Sequence, residues 1–316
     1  MAAGNKTVIY AALIGNGLIS ITKFVAAGIT GSAAMMAEGI HSLVDTGNQG
    51  LLLFGLRKAK KPADKLHPLG HGKEVYFWSF VVAVLIFALG AGISLYEGWH
   101  RTMHPEPVEN PVVNFVVLGL AICFESVAWW LAWKEFRKFQ GRRSLNAAVK
   151  AAKDPTTFIV LFEDTAAMLG LVVAGVGLGI SAAFDLPIFD GIATLCIGAI
   201  LTLTAIWMAI RTKSLLIGEA ADPEIVDDVR RRASDLDTVL AVNDVLTLHM
   251  GPHFILLNLS VDFKDDVPAG EVENTVERLT REIREAHADV QRVFIEAERR
   301  PGPPDPDAGQ GSTGSR

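Results

Sequence analysis

Apolar residues fill six long stretches of the chain, at about 8–29, 32–56, 75–96, 112–133, 157–182 and 188–210. Each is long enough to cross a bilayer as a helix, which takes roughly 20 residues. None is highly charged. Beyond residue 222 the pattern changes to that of a small soluble domain. Pro223 to Asp235 reads as a helix, with Pro in its first turn and acids ahead of Arg230-Arg231-Arg232. Val239–His249 and Phe254–Phe263 read as strands joined near Gly251-Pro252. Pro268–Ala288 carries Glu and Arg at helical spacing, and Val290–Glu296 is a last strand. The pattern predicts an all-α six-helix transmembrane domain (1–214), a small α+β domain of order α-β-β-α-β (215–299) and a disordered tail rich in Pro, Gly, Ser and Asp (300–316).

Polar residues inside the apolar stretches are the informative exceptions. Glu38, His41, Asp45 and Asn48 project from one side of the second segment at about 100° per residue. A titratable group at mid-membrane costs roughly 2.5–3.5 kcal/mol on insertion scales, so this stripe must face protein, water or a bound cation. His41 and Asp45, one turn apart, offer a nitrogen and an oxygen to one metal ion. Asp164 in the fifth segment lies at a similar depth, within about two helical turns, so two antiparallel helices can bring His41, Asp45 and Asp164 around one cation. Asn16, Ser20 and Lys23 form a polar side on the first segment that reads as helix–helix glue. Glu125 in the fourth segment reads as a structural or proton-linked acid. Trp129, Trp130 and Trp133 read as interface anchors.

Charge adds a topology. The net charge is −6, but basic residues concentrate in two loops, Arg57 to Lys73 and Lys134 to Lys153. The positive-inside rule puts both loops and both termini in the cytoplasm of a multi-pass cell (inner) membrane protein. An anionic inner leaflet accounts for the basic loops without nucleic acid. Half of the 316 residues are hydrophobic, which a water-soluble chain of this size rarely shows. The two cysteines, Cys123 and Cys196, sit mid-way in apolar segments and suggest neither a disulfide framework nor a CxxC site. The first apolar segment, interrupted by Asn16, reads as retained rather than cleaved.

Several stretches together resemble the cation diffusion facilitator family. They are Gly31-Ser32, Ala37-Glu38-Gly39-Ile40-His41-Ser42-Leu43-Val44-Asp45, His67-Pro68-Leu69-Gly70-His71-Gly72-Lys73-Glu74, Asp164, and Leu216-Ile217-Gly218-Glu219-Ala220. The resemblance implies a six-helix homodimer with a ferredoxin-like cytoplasmic domain. It implies a transporter, not an enzyme, that expels Zn²⁺ or a related divalent ion in exchange for protons. It also makes His41, Asp45 and Asp164 the transport-site ligands. The metal is substrate, and no prosthetic group is implied.

The chain departs from the family pattern at Val160, where many members carry His or Asp one turn before the segment-five Asp. The Glu163-Asp164 pair resembles a more distant branch that includes a mitochondrial zinc transporter. Either the site has three protein ligands, or Glu163, Glu38 or Asn48 supplies a fourth or takes a proton-linked role. One imidazole with two carboxylates suits Zn²⁺, and Mn²⁺, Fe²⁺ and Co²⁺ accept such ligands too. In the basic loop, Asp64, His67 and His71 share a face if helical and form a second candidate metal site, which the resemblance supports. His249 and His253 flank a strand turn in the terminal domain and are weaker candidates, since Asn243, Asn258, Glu296 and Glu298 stand where family members carry histidines. That favours a metal-poor domain that dimerises by packing. Two rival functions remain at this level: a metal sensor or scaffold without flux, which Val160 keeps open, and a membrane-embedded metalloenzyme, against which stands the lack of an HExxH motif.

Overall fold

The computed structural model describes residues 3–30, 33–105 and 111–299. Within those helices the side chains of residues 3–8, 11–12, 26–27, 29–30, 33–41, 111, 146 and 157 are outside the description. The expected tail, 300–316, also lies outside the described residues. The chain divides into two compact units, Met1–Ile217 and Gly218–Arg316.

The first unit is helical. Its elements are α1 (Ala3–Thr30), α2 (Ala33–Lys58), α3 (Glu74–Leu85), α4 (Gly92–Met103), α5 (Pro111–Gln140), α6 (Leu145–Ala151), α7 (Thr156–Phe184) and α8 (Ile188–Ile217). A π-helical turn, Ile86–Ala91, joins α3 to α4, so Glu74–Met103 runs as one span. Long helices are what an apolar chain in lipid must form, because each satisfies its own backbone polar groups. Among the described residues four are long and apolar enough to cross a membrane: Glu74–Met103, Val112–Gln140, Phe158–Phe184 and Ile188–Ile217. The described apolar part of α1 is Leu13–Val25, and α2 is diluted by Asp45, Asn48 and Gln49. Large apolar side chains such as Val127, Leu203 and Ile210 point outward, as lipid-facing surfaces require. The spans also outrun the apolar stretches at several ends, since α2, α5 and α8 continue into basic turns. The short helix α6, capped by the Ser144 hydroxyl accepting from Ala147 N, has no apolar stretch to announce it.

α1 packs against α2 and α5, α2 against α3, α5 against α7, and α8 against α3, α4 and α7. An apolar cluster of Leu52, Leu56, Tyr76, Phe136, Phe158, Val160 and Met208 ties α2, α3, α5, α7 and α8 together. α4 and α8 approach to backbone contact. A Cβ on Gly98 would sit 2.6 Å from Leu195 N, and one on Gly191 would sit 2.6 Å from Thr102 N. Small residues let membrane helices approach this closely. Asp190 lies in the first turn of α8 and accepts from Arg101 Nη1 at 2.6 Å, while Arg101 Nε donates to Glu97 at 2.7 Å. An arginine left in an apolar bundle needs such partners, and two acids supply them.

The second unit contains α9 (Pro223–Ser234), β1 (Val239–Gly251), β2 (Phe254–Phe263), α10 (Ala269–Ala286) and β3 (Val290–Ala297). The strands form one sheet of order β1-β2-β3. β1 and β2 are an antiparallel hairpin closing at Gly251↔Phe254, and β3 runs parallel to β2. A parallel return needs a crossover, and α10 is that crossover. Ile255, Leu257, Leu259 and Val261 of β2 are buried with Val229 and Ala233 of α9 and Leu279 and Ile283 of α10. The period-two alternation of β2 is therefore what seats both helices.

Asp228 fastens α9 to the end of α10. Its carboxylate accepts from Arg232 Nε at 2.6 Å, from Arg231, and faces His287 Nε2 at 2.8 Å. The hydrogen bond from Arg232 and then that from His287 hold its pKa below the ordinary carboxylate value. A depressed acid stabilises the fold above its unfolded pKa of about 3.9 and loses that contribution as pH falls through the folded value. Asp228→Asn is therefore expected to lower the melting temperature at pH 7. It should also flatten the loss of stability below about pH 4. Melting curves of the full chain between pH 3 and 7 check this, and parallel wild-type and variant curves would refute it.

Candidate metal site

Four acids from three helices come together inside the helical unit. Asp164 of α7 is 2% exposed, and Glu163 and Glu125 are each 8% exposed. The charges that act on Asp164 are those of Glu125 on α5, Glu163 and Asp45 on α2. Asp45 also acts on Glu163. Asp164 Oδ2 is buried and accepts no hydrogen bond among the described residues. Leaving a buried acceptor unsatisfied costs about 1–3 kcal/mol, and more if it is charged. A proton, a cation or a further hydrogen-bond donor can satisfy such an oxygen.

The neighbouring carboxylate is held differently. Asn48 Nδ2 donates to Glu163 Oε1 at 3.2 Å, and Gln49 Nε2 donates to Glu163 Oε2 at 2.9 Å. Both amides are buried. Gln49 was not singled out from the sequence, though it lies four residues beyond Asp45 and so continues the polar stripe of α2. Val160 is 1% exposed and belongs to the apolar cluster, so its side of α7 is sealed by packing.

Two further contacts brace the region. Trp129 Nε1 donates to Thr165 Oγ1 at 2.9 Å, linking α5 to α7 one residue beyond Asp164 and one turn from Glu125. That indole is turned into the bundle, whereas Trp130 is exposed as an interface residue would be. Lys23 Nζ of α1 donates to Ser42 Oγ of α2 at 3.0 Å, and Asn16 and Ser20 are buried on the same helix. Glu38 and His41 lie on α2, and their side chains are outside the described residues.

A second group converges in the loop between α2 and α3. The ligand atoms of Asp64, His67 and His71 all lie within 4.8 Å of one another. Helical spacing is not the cause, because residues 61–73 form turns and bends. Asp64 Oδ1 accepts from Leu66 N at 2.9 Å and His67 N at 2.7 Å, a local turn that aspartate favours. Gly70 at φ +82° then folds the chain back, with its N–H on His67 O at 2.9 Å. His71 Nε2 reaches Asp64 Oδ2 at 3.0 Å. The His71 hydrogen bond and then the His67 N–H hold the Asp64 pKa down to about 2. The carboxylate is ionised at any physiological pH and available to a cation.

The terminal-domain histidines have other partners. His249 is 4% exposed on β1, with Nδ1 3.4 Å from Gly251 O. His253 is exposed and its Nδ1 lies 3.3 Å from Asp289. Asn243 donates to Ser260 Oγ and to the backbone carbonyl of Glu298, and Asn258 donates to the Glu296 carboxylate, so hydrogen bonds within the sheet engage these positions.

Residues 9–217 match the family model for the cation efflux transmembrane domain. The chain belongs to the cation efflux (cation diffusion facilitator) family. It is 32% identical over 262 residues to the human proton-coupled zinc antiporter SLC30A9, mitochondrial, covering 82% of this chain and 46% of that protein. Metal tolerance protein C4 of Arabidopsis thaliana is 30% identical over 269 residues, 84% of this chain and 58% of its own. The uncharacterized transporter MJ0449 of Methanocaldococcus jannaschii is 24% identical over 283 residues, 90% of this chain and 94% of its own. The chain thus spans about half the length of the first two relatives. Membership in this family makes a multi-pass membrane protein of the chain, in line with its apolar helices.

Proposed function

We propose that this protein is a divalent-cation efflux transporter that exchanges Zn²⁺ for H⁺ by alternating access. The observation that carries the reading is the meeting of Asp45, Glu125, Glu163 and Asp164 inside an apolar helical bundle. Buried ionisable groups in a membrane segment mark ion or proton paths. In this reading His41, Asp45 and Asp164 hold the ion. Glu125, whose charge reaches Asp164, takes part in proton traffic. Metal binding needs a neutral imidazole and ionised carboxylates, so metal and protons compete for the same groups. Site occupancy then alternates, with metal leaving on one side and protons entering from the other. Zinc is favoured over Mn²⁺, Fe²⁺ and Co²⁺ by the imidazole and by the relative whose name is a proton-coupled zinc antiporter.

The same proposal includes six membrane helices, since α1 and α2 also have the length to span. It includes a ferredoxin-like terminal domain starting near residue 215, a homodimer in the cell (inner) membrane, and cytoplasmic termini. Asp64, His67 and His71 are a second, loop-borne metal site, and His249 and His253 contribute little to metal binding. Val160, packed into the apolar cluster, favours one other reading, a sensor that binds metal without flux.

Uptake of Zn²⁺, Mn²⁺, Fe²⁺ and Co²⁺ into proteoliposomes with an imposed pH gradient tests this. Zn²⁺ uptake that falls when the gradient is collapsed is the expected result. Uptake indifferent to the gradient would refute proton exchange, and binding without uptake would favour the sensor.

A further inference from the structure

The two amides on α2 treat Glu163 and Asp164 unequally. Both oxygens of Glu163 accept from Asn48 and Gln49, while Asp164 Oδ2 accepts nothing among the described residues. Adjacent residues of a helix diverge by about 100°, so the two carboxylates do not face one point. α2 packs chiefly on α1 and α3, and α7 on α5 and α8. The Asn48 and Gln49 bonds therefore bridge helices whose main packing partners lie elsewhere. They also set a register. If residues 48 and 49 are level with 163 and the helices run antiparallel, Asp45 and Asp164 differ in height by roughly 4 Å, less than one turn. A one-turn slip in the direction that adds to this offset would widen it to about 9 Å.

We infer that Asn48, Gln49 and Glu163 form a positioning clip that holds Asp45 level with Asp164, and that Glu163 is not a metal ligand. The inference rests on the transport-site reading above and deepens it. Gln49 is the residue it adds. The chemistry is that of a buried carboxyl group with an amide donor on each oxygen. Gln49 Oε1 has no hydrogen-bond partner among the described residues. Turning the Gln49 amide would therefore let it accept from an amide at 163, so Glu163→Gln can keep the clip.

The test is Zn²⁺ binding to the purified full chain in detergent, in a His67→Ala/His71→Ala background that removes the loop group. Glu163→Gln is expected to bind within about threefold of that background, whereas Gln49→Leu weakens binding by about tenfold or more. The exchange variant Gln49→Glu/Glu163→Gln reverses the two ends of one hydrogen bond and should return affinity to within about threefold. It also covers the case in which Gln49→Leu does not fold. A tenfold loss in Glu163→Gln that the exchange fails to recover would make Glu163 a ligand and overturn the inference. Unchanged affinity in Gln49→Leu would overturn the positioning role. The readout is binding, so a background protein that binds Zn²⁺ but shows no flux refutes transport alone. One that binds no Zn²⁺ refutes both.

Discussion

Asp164→Asn is expected to reduce metal uptake by about a hundredfold or more. Changing an outer partner of a metal ligand already costs about 10–100-fold, so loss of a ligand should lie at or beyond that range. Asparagine keeps the size of the side chain and one carbonyl oxygen, which makes packing an inadequate explanation for the loss. Asp164 is 2% exposed, among the charges of Asp45, Glu125 and Glu163. Removing its charge should relieve repulsion in the empty protein while weakening the hold on a divalent ion. The variant should therefore fold as well as the wild type, or better, and still fail to transport. Initial uptake rates and melting curves measured on the same preparation check both halves. Uptake near the wild-type rate would remove Asp164 from the site.

Gly98→Leu is expected to break the α4–α8 contact. The new Cβ would meet Leu195 N at 2.6 Å and Thr194 C at 3.0 Å, and backbone atoms cannot rotate away. Overpacking typically costs about 1–3 kcal/mol, and here the helices must part before the rest of the side chain is placed. The Arg101–Asp190 bond lies one turn further along α4 and would be strained by the same separation. A fall of about 5 °C or more in melting temperature follows at roughly 2–4 °C per kcal/mol. Gly119→Ala is the control, because a Cβ there meets nothing within 4 Å. Replacing glycine by alanine in an open helix position should be neutral or stabilising by up to about 1 kcal/mol. If both variants melt alike, the close approach of α4 and α8 does not limit stability.

Much of this molecule was legible along the chain. Apolar length announces the spans, since a bilayer demands about 20 residues of continuous helix whatever the neighbours are. Period-two alternation announces β2, and the Glu–Arg spacing announces α10. The stripe on α2 was legible for the same reason, because a polar residue in an apolar helix is costly and must have a use. Asp64, His67 and His71 were also visible as a group, although their spacing suggested a helical face. An aspartate turn and the positive φ of Gly70 bring them together instead.

What stayed hidden involves partners distant in the sequence. Nothing in α5 says that Glu125 lies near the acids of α7, because which helices are neighbours depends on how their apolar surfaces pack. The partner of Asp190 is likewise distant in the sequence, since α4 brings Arg101 beside it. Glu163, next to Asp164 in the sequence, read as a possible fourth ligand or a proton-linked acid. Their difference arises across a helix pair, where two amides from α2 reach one carboxylate and, among the described residues, none donates to Asp164 Oδ2. Local periodicity sets which way a side chain leaves its own helix. What it meets there is set by packing between segments from tens to more than a hundred residues apart.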